Sequence, residues 1–142
     1  MHIDVDWTGN ISFTATCREF NGIVIDEPAD FHGNNSGPSP AEYLGIGIGS
    51  CLGVSLAYSC QKVDIKIEKL SVGVDLSLED IEEEGASLQR VTAATAQIEI
   101  QPANPEDGEA LDLCIQMFEK HCVVTQSVIL GIPVTVNVKK LE

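Results

Sequence analysis

Hydrophobic and polar positions alternate in several stretches of the chain, which is the pattern of half-buried β-strands. Three short stretches of this kind, at 2–8, 11–17 and 23–26, follow one another with turn residues between them. They predict an antiparallel meander. Residues 27–38 break the alternation with prolines, glycines and asparagines, so we expect a loop there.

Two longer alternating stretches, at 64–78 and 88–101, predict a pair of long antiparallel strands. The acidic run Glu79–Glu84 lies between them and is expected to form a solvated surface loop rather than a site. Near the end of the chain, residues 132–138 alternate again and predict a last strand.

The stretch between the meander and the long strands is nearly uncharged and predicts a helix. Ser39 and Glu42 have the spacing of a capping box, and Pro40 occupies the first helical position. The helix should continue to Gln61–Lys62, and its apolar residues on all sides predict a buried central helix. Its glycines each weaken a helix by about 0.5–1 kcal/mol relative to alanine, so we expect another element to pack closely against it.

Two further helices are predicted, one from Asn104–Pro105 to about His121 and a short one from Cys122 to about Leu130. The predicted order β-β-β-α-β-β-α-α-β indicates the α+β class. With neither a repeat nor a linker in its 142 residues, the chain is expected to form a single domain over 1–142.

Charge narrows the possible partners. A net charge of -14 disfavours binding to nucleic acid and to anionic membranes, both of which need basic side chains. No uninterrupted apolar stretch reaches membrane-spanning length, and the first residues do not resemble a signal peptide. Five cysteines, an odd number, favour free thiols in a reducing compartment, so we expect a cytoplasmic protein.

The candidate chemistry lies in the cysteines. Cys51 is in the middle of the predicted central helix, where it is either a small packing residue or a nucleophilic thiolate. Cys122 begins the short last helix, whose dipole favours ionisation of a thiol, unless Cys122 only closes the apolar stripe. Sequence spacing does not show whether these two residues touch.

The other cysteines are expected to be packing residues. Cys60 follows Cys51 by nine residues and therefore lies on the opposite face of an ideal helix. Cys17 and Cys114 fall on a strand and a helix, respectively. No spacing matches a metal site, and the adjacent pair His121–Cys122 has poor geometry for two ligands. Neither a phosphate-binding glycine loop nor a Ser/His/Asp signature is present.

Three features together resemble the OsmC/Ohr superfamily of osmotically inducible and organic-hydroperoxide-resistance proteins. The first is Gly37–Leu44 (GPSPAEYL), which leads into Gly49-Ser50-Cys51. The second is Cys122–Val128 (CVVTQSV), about seventy residues further on. The third is the order of meander, buried helix, long hairpin and C-terminal helices.

This resemblance implies an OsmC-like fold, with antiparallel sheets packed around the central helix of an intertwined homodimer. It implies that Cys51 attacks the O–O bond of a small organic hydroperoxide and becomes a sulfenic acid. Cys122 would then form a disulfide with it, which an external dithiol or lipoylated protein reduces. No metal, haem or flavin cofactor is implied.

One position departs from the hydroperoxide-resistance branch, where a glutamate ten residues before the first cysteine pairs with an arginine that holds the thiolate. Here that position is Ala41. Glu42 is one residue too late and is already the capping partner of Ser39. Arg18 is the candidate for the arginine, with a plain surface role as the alternative. The pattern resembles a less characterised OsmC-like branch.

Three hypotheses therefore remain open. The first is a cysteine-based peroxidase acting in oxidative stress defence. The second, motivated by Ala41, is a non-catalytic dimeric binding module in which Cys51 lines an apolar pocket. The third is a redox sensor that uses the Cys51–Cys122 couple without turnover.

Overall fold

A computed structural model describes residues 1–140, which divide into two compact units. The first unit comprises Met1–Gly47 and Asp75–Thr95, and the second comprises Ile48–Val74 and the chain from Ala96 onward. The strands and α-helices are β1 (Asp4–Gly9), β2 (Ser12–Cys17), β3 (Phe20–Ile25), α1 (Pro40–Lys62), β4 (Ile67–Glu83), β5 (Ala86–Pro102), α2 (Gly108–Met117) and α3 (Val123–Leu130).

In the first unit, β1, β2 and β3 form an antiparallel sheet in that order, as the alternating pattern predicts. Ala15 is the centre of the sheet, since it pairs with Val5 on one side and Ile23 on the other. The two connections use residues with positive φ, Asn10 at 48° and Arg18 at 56°. Each connection contains only two residues between its strands, so the chain reverses in a tight turn.

The loop after β3 is organised by the buried carboxylate of Asp26. This carboxylate accepts hydrogen bonds from the Ser36 hydroxyl at 2.6 Å and from the Asn34 and Ser36 amides at 3.1 Å each. The Ser36 hydroxyl is the main reason that the pKa of Asp26 falls to about 2, although burial acts in the opposite direction. Asp26 thus fixes the path of the loop towards the start of α1.

The predicted capping box at the start of α1 is confirmed. The Ser39 hydroxyl accepts a hydrogen bond from the Glu42 amide at 3.3 Å, and the Glu42 carboxylate accepts one from the Ser39 amide at 2.7 Å. Amides that the first helical turn leaves without partners are satisfied in this way.

In the second unit, α1 packs against β4 and the C-terminal helices around one apolar cluster. A Cβ atom at Gly49 would lie 3.0 Å from Val74 Cγ2, and one at Gly53 would lie 3.5 Å from Val72 Cγ2. The glycines therefore allow the close approach that the sequence predicts. The buried residues of the cluster are Ile48, Leu52, Leu56, Cys60, Ile65, Leu111, Cys114, Phe118 and Cys122.

The opposite side of α1 is exposed, so the expectation of burial on all sides is wrong for the single chain. Val54 is 68% exposed and Tyr58 is 57% exposed. By length and composition α1 could also cross a membrane, since an 18-residue window within Pro40–Lys62 has a mean hydropathy of 1.4. The core helix of a soluble protein can have the same length and composition.

The acidic run belongs to a strand, so the predicted surface loop at Glu79–Glu84 is wrong. β4 continues to Glu83, and the chain reverses at Glu84 and Gly85, whose φ angles are 52° and 83°. Positive φ at both positions matches the two-residue turn that suits twisted hairpin strands. The carboxylates are exposed on the hairpin, where water solvates them and Arg90 pairs with Glu83 at 3.0 Å.

The predicted last strand, 132–138, is also wrong for the described chain. Residues 131–140 have no regular secondary structure. A strand needs a neighbour to receive its backbone hydrogen bonds, and no described strand pairs with this segment. Its alternating apolar side chains are exposed: Ile132, Val134, Val136 and Val138.

The helical region before that segment agrees with the prediction. A 3₁₀ turn at Pro105–Asp107 leads into α2, and a second at Phe118–His121 separates α2 from α3. The Asn104 side chain accepts a hydrogen bond from the Glu106 amide at 3.2 Å and so caps the first turn. Helices and antiparallel strands of this kind make the chain α+β, as predicted.

Candidate active site

Cys51 lies in the second unit, in the middle of α1, and is half-buried. It packs at the edge of the apolar cluster, next to the buried Leu52. Gly49 and Gly53, each two residues from Cys51, let β4 approach closely on a different face of the helix.

Cys122 is the N-cap residue of α3 and is completely buried. The 3₁₀ turn Phe118–His121 ends at Cys122, whose φ and ψ of -76° and 100° are extended. The next residue, Val123, begins α3. The Cys122 thiol donates a hydrogen bond to the Thr125 hydroxyl, with an Sγ–Oγ1 distance of 3.0 Å.

The fold brings these two cysteines together, and we call them the outer pair. The Cys122 side chain lies close enough to the Cys51 sulfur to influence its ionisation. The Val124 amide donates to Cys51 Sγ at 3.4 Å, the Thr125 amide also donates to it, and the Ser55 hydroxyl reaches it from one helical turn away. The Cys51 sulfur is thus held at the N-terminus of α3 by several donors.

The donors decide the ionisation of Cys51. Partial burial is the largest single influence and raises the pKa of Cys51, because a thiolate is poorly solvated there. Hydrogen bonds from Cys122, the Val124 and Thr125 amides and Ser55 stabilise the thiolate, and together they place the pKa below its ordinary value. The positive end of the α3 dipole acts in the same direction.

This arrangement has the parts of a two-thiol redox centre. A thiol with a lowered pKa is nucleophilic because its thiolate is populated. A second thiol in contact with it can close a disulfide after the first is oxidised. Among the described residues, no group of three or more His, Cys, Asp or Glu side chains could hold a metal ion.

Arg18 and Glu42 lie in the first unit, and each is engaged locally. The Arg18 guanidinium carbon is 5.1 Å from the centre of the Phe20 ring, a cation–π contact. Glu42 is the capping partner of Ser39. Their roles in holding a thiolate stay predictions, as do the catalytic roles of the outer pair.

A second pair of cysteines, the inner pair, lies deeper in the second unit. Cys60, near the end of α1, is completely buried, and its side chain hydrogen-bonds to that of Cys114 on α2. Burial raises the pKa of Cys60, and the neighbouring Cys114 raises it further. Both residues belong to the apolar cluster, as the packing prediction expects. The sequence did not predict that Cys60 and Cys114 lie next to each other.

Sequence reasoning missed three residues around Cys51. Ser55 could have been found, because it follows Cys51 by four residues and so lies on the same helix face. Thr125 stands three residues after Cys122, also within reach on a helix. The Val124 amide could not be found, because a backbone donor leaves no mark in the residue type.

Comparison with known proteins identifies the class of protein that this fold and site define. A family model described as OsmC-like protein matches residues 33–137, a range that includes both cysteines of the outer pair. This chain belongs to the OsmC-like protein family. No curated protein matches the sequence.

Solved structures support the fold. An OsmC-like protein from Mycoplasma pneumoniae has a TM-score of 0.71 at 22% identity, covering 90% of this chain and 86% of its own. An OsmC-like protein of unknown function from Vibrio cholerae has a TM-score of 0.73 at 12% identity, with coverages of 89% and 91%. An organic hydroperoxide resistance protein from Legionella pneumophila has a TM-score of 0.61 at 16% identity, with coverages of 89% and 87%.

Proposed function

We propose that this protein reduces small organic hydroperoxides through Cys51, with Cys122 as the second, resolving cysteine. The observation that carries the proposal is the position of Cys51 Sγ at the start of α3, where the Val124 amide donates to it at 3.4 Å. That donor, with Thr125, Ser55 and Cys122, favours the thiolate form that attacks a peroxide.

In the first step, the Cys51 thiolate attacks the terminal oxygen of the hydroperoxide. An S–O bond forms, the O–O bond breaks, and the alkoxide leaves and takes up a proton to become an alcohol. Cys51 is oxidised to a sulfenic acid, and the peroxide is reduced by the same two electrons.

In the second step, Cys122 attacks the sulfenic sulfur, so an S–S bond forms and water leaves. An external dithiol, either a small molecule or a lipoylated protein, then reduces the disulfide by exchange and is itself oxidised. The cycle uses only sulfur chemistry, so the proposal includes no metal, haem or flavin.

Relatives support the substrate class. Two proteins of similar fold, from Legionella pneumophila and Elizabethkingia anophelis, are named organic hydroperoxide resistance proteins. Membership of the OsmC-like family agrees with that assignment. At the start of α3, which meets Cys51, the side chains of Val123 and Val124 are apolar and exposed. An apolar surface of this kind suits an organic peroxide better than a highly polar one.

The proposal also answers how a thiolate is activated where Ala41 replaces the glutamate of the hydroperoxide-resistance branch. Amide donors at a helix start do not titrate, and they stabilise a thiolate without a charged partner. Activation of Cys51 by α3 and Ser55 therefore needs neither Glu42 nor Arg18.

We further propose that the protein acts as a cytoplasmic homodimer. Support comes from the exposed side of α1, with Val54 and Tyr58, and from the alternating apolar segment 132–138, which has no strand partner among the described residues. Large exposed apolar surfaces of this kind mark protein–protein contacts. Measuring the molar mass in solution by light scattering tests this, and a monomer at micromolar concentration contradicts it.

The function is tested by turnover. Reduced protein is mixed with cumene hydroperoxide and an excess of dithiol, and alcohol formation is followed against a Cys51→Ser variant and a Cys17→Ser control. We expect turnover to vanish in the first variant and to persist in the second. If the wild-type protein forms alcohol no faster than Cys51→Ser, the proposal is wrong. A single oxidation to the Cys51–Cys122 disulfide without turnover would instead identify a redox sensor.

A further inference from the structure

We propose that the Thr125 hydroxyl carries the proton of Cys122 during the step that joins the two cysteines. This inference rests on the proposed function, because the step exists only if a hydroperoxide has oxidised Cys51 to a sulfenic acid. It assigns a specific catalytic role to a residue that lies outside the pair itself.

Thr125 touches both sulfur atoms of the outer pair. Its hydroxyl oxygen accepts the Cys122 thiol hydrogen at an Sγ–Oγ1 distance of 3.0 Å, and its backbone amide donates to Cys51. The two contacts use different parts of the residue. Consequently the side chain can be changed while the amide that stabilises the Cys51 thiolate stays in place.

The burial of Cys122 favours a proton relay through a neighbouring side chain. Cys122 is completely buried, so bulk water does not reach its sulfur to take a proton. The half-buried Thr125 hydroxyl is in contact with it, and a hydroxyl can accept one proton while it donates another. Thr125 is therefore suited to move a proton away from Cys122.

The step balances without any further reactant. The Cys122 S–H bond and the Cys51 S–OH bond break, and one S–S bond forms. Cys122 sulfur is oxidised while Cys51 sulfur is reduced from the sulfenic state. The proton of Cys122 passes to Thr125 Oγ1, Thr125 releases its own hydroxyl proton, and the departing hydroxide takes it up as water.

The test separates the two chemical steps. Thr125→Val keeps the size and the backbone amide but removes the hydroxyl, and Thr125→Ser restores it. Ser127→Ala removes another hydroxyl of α3, about 200° around the helix, and is the matched control. Reduced proteins are mixed with cumene hydroperoxide in a quenched-flow instrument, and mass spectrometry follows sulfenic acid, disulfide and over-oxidised sulfinic acid at Cys51.

We expect Thr125→Val to form sulfenic acid at a rate within about threefold of wild type. Its disulfide should form at least about tenfold more slowly, which is a modest share of what a positioned proton-transfer group supplies. More Cys51 then proceeds to sulfinic acid, because a second peroxide competes with Cys122. Thr125→Ser should restore the disulfide rate, and Ser127→Ala should leave it unchanged.

The pH dependence excludes a purely structural role. Without the relay, the Cys122 proton must be removed by hydroxide that enters when the site opens locally, so the disulfide rate of Thr125→Val should rise more steeply with pH than that of wild type. Equal rates and equal pH profiles in the two proteins would overturn the relay alone. If wild type forms no sulfenic acid at all, the proposed function fails and the relay fails with it. If Thr125→Val does not fold, the same rates and pH profiles are measured for Thr125→Ala and compared with wild type.

Discussion

The outer pair, Cys51 and Cys122, and the inner pair, Cys60 and Cys114, both bring a cysteine of α1 against a cysteine of the chain segment 108–122. Along α1 the pairs are nine residues apart, and along the other segment they are eight apart in the reverse direction. In each pair one cysteine influences the ionisation of the other. By residue type alone the two pairs are the same.

Their surroundings make them differ. Around Cys51, burial competes with amide and hydroxyl donors that stabilise a thiolate, and the donors prevail, so the pKa is lowered. Around Cys60, burial acts with the neighbouring Cys114 in the same direction, and the pKa is raised. Proximity of two thiols is therefore not enough for reactivity, which needs donors of hydrogen bonds to the sulfur.

The largest expected difference is in chemical reactivity. At pH 7 we expect iodoacetamide to modify Cys51 faster than Cys60 by on the order of a hundredfold, because Cys60 is both buried and un-ionised. Peptide-resolved mass spectrometry of the reduced native protein measures both rates. In concentrated guanidinium the two rates should converge, because unfolding removes the difference in surroundings. Similar rates in the native protein would contradict the proposed difference in reactivity between Cys51 and Cys60.

The next effect is on stability. Cys60→Ala leaves a cavity among apolar side chains and should lower the free energy of unfolding by about 1–2 kcal/mol. Cys51→Ala, at a half-buried position, should change it by less than about 0.5 kcal/mol. Urea denaturation under reducing conditions measures both. Equal losses in the two variants would show that the inner pair has no special packing role.

The two pairs should also respond oppositely to alkaline pH, relative to the unfolded thiol pKa of about 8.5. The lowered pKa of Cys51 contributes stability that is present above that value and is lost as pH falls through the folded-state pKa. The raised pKa of Cys60 contributes stability below that value, which is lost as pH rises. Between pH 8 and 10, Cys60→Ala should therefore lose less stability than wild type, and Cys51→Ala more. The reverse order contradicts these shifts.

The smallest effect concerns one donor of the outer pair. Ser55→Ala removes the hydroxyl that reaches Cys51 and should slow its alkylation at pH 7 by about two- to threefold, since a single hydrogen bond to a partly exposed thiolate is modest. Ser59→Ala is the control, because the Ser59 hydroxyl bonds instead to the Ser55 carbonyl at 2.9 Å. An unchanged alkylation rate in Ser55→Ala would mean that the start of α3, and not Ser55, stabilises the Cys51 thiolate.

Elements with a strong local signal could be predicted from the sequence. The Ser39–Glu42 capping box and the three-stranded meander depend on residues close in the chain, and both are present. The charge at Glu79–Glu84 predicts a loop, and this prediction is wrong because the exposed strands of a hairpin tolerate charged side chains. Residues 132–138 have strand periodicity, but a strand depends on a neighbour that local sequence does not specify.

The site was predictable in the same unequal way. Cys51 and Cys122 could be predicted as site residues because each lies in a sequence motif that resembles one of the family's motifs. The Val124 and Thr125 amides that act on Cys51 could not, because they belong to the backbone. The contact between Cys60 and Cys114 depends on how α1 and α2 pack, which residue spacing alone does not fix.

The central claim is that the start of α3 and its neighbours hold Cys51 as a thiolate. The most direct test is the rate of Cys51 alkylation from pH 4 to 10 in the wild-type protein, read peptide by peptide and fitted to a single ionisation. The account predicts a Cys51 pKa below the free-thiol value of about 8.5. A Cys51 pKa at or above that value would contradict it and favour a non-catalytic binding module.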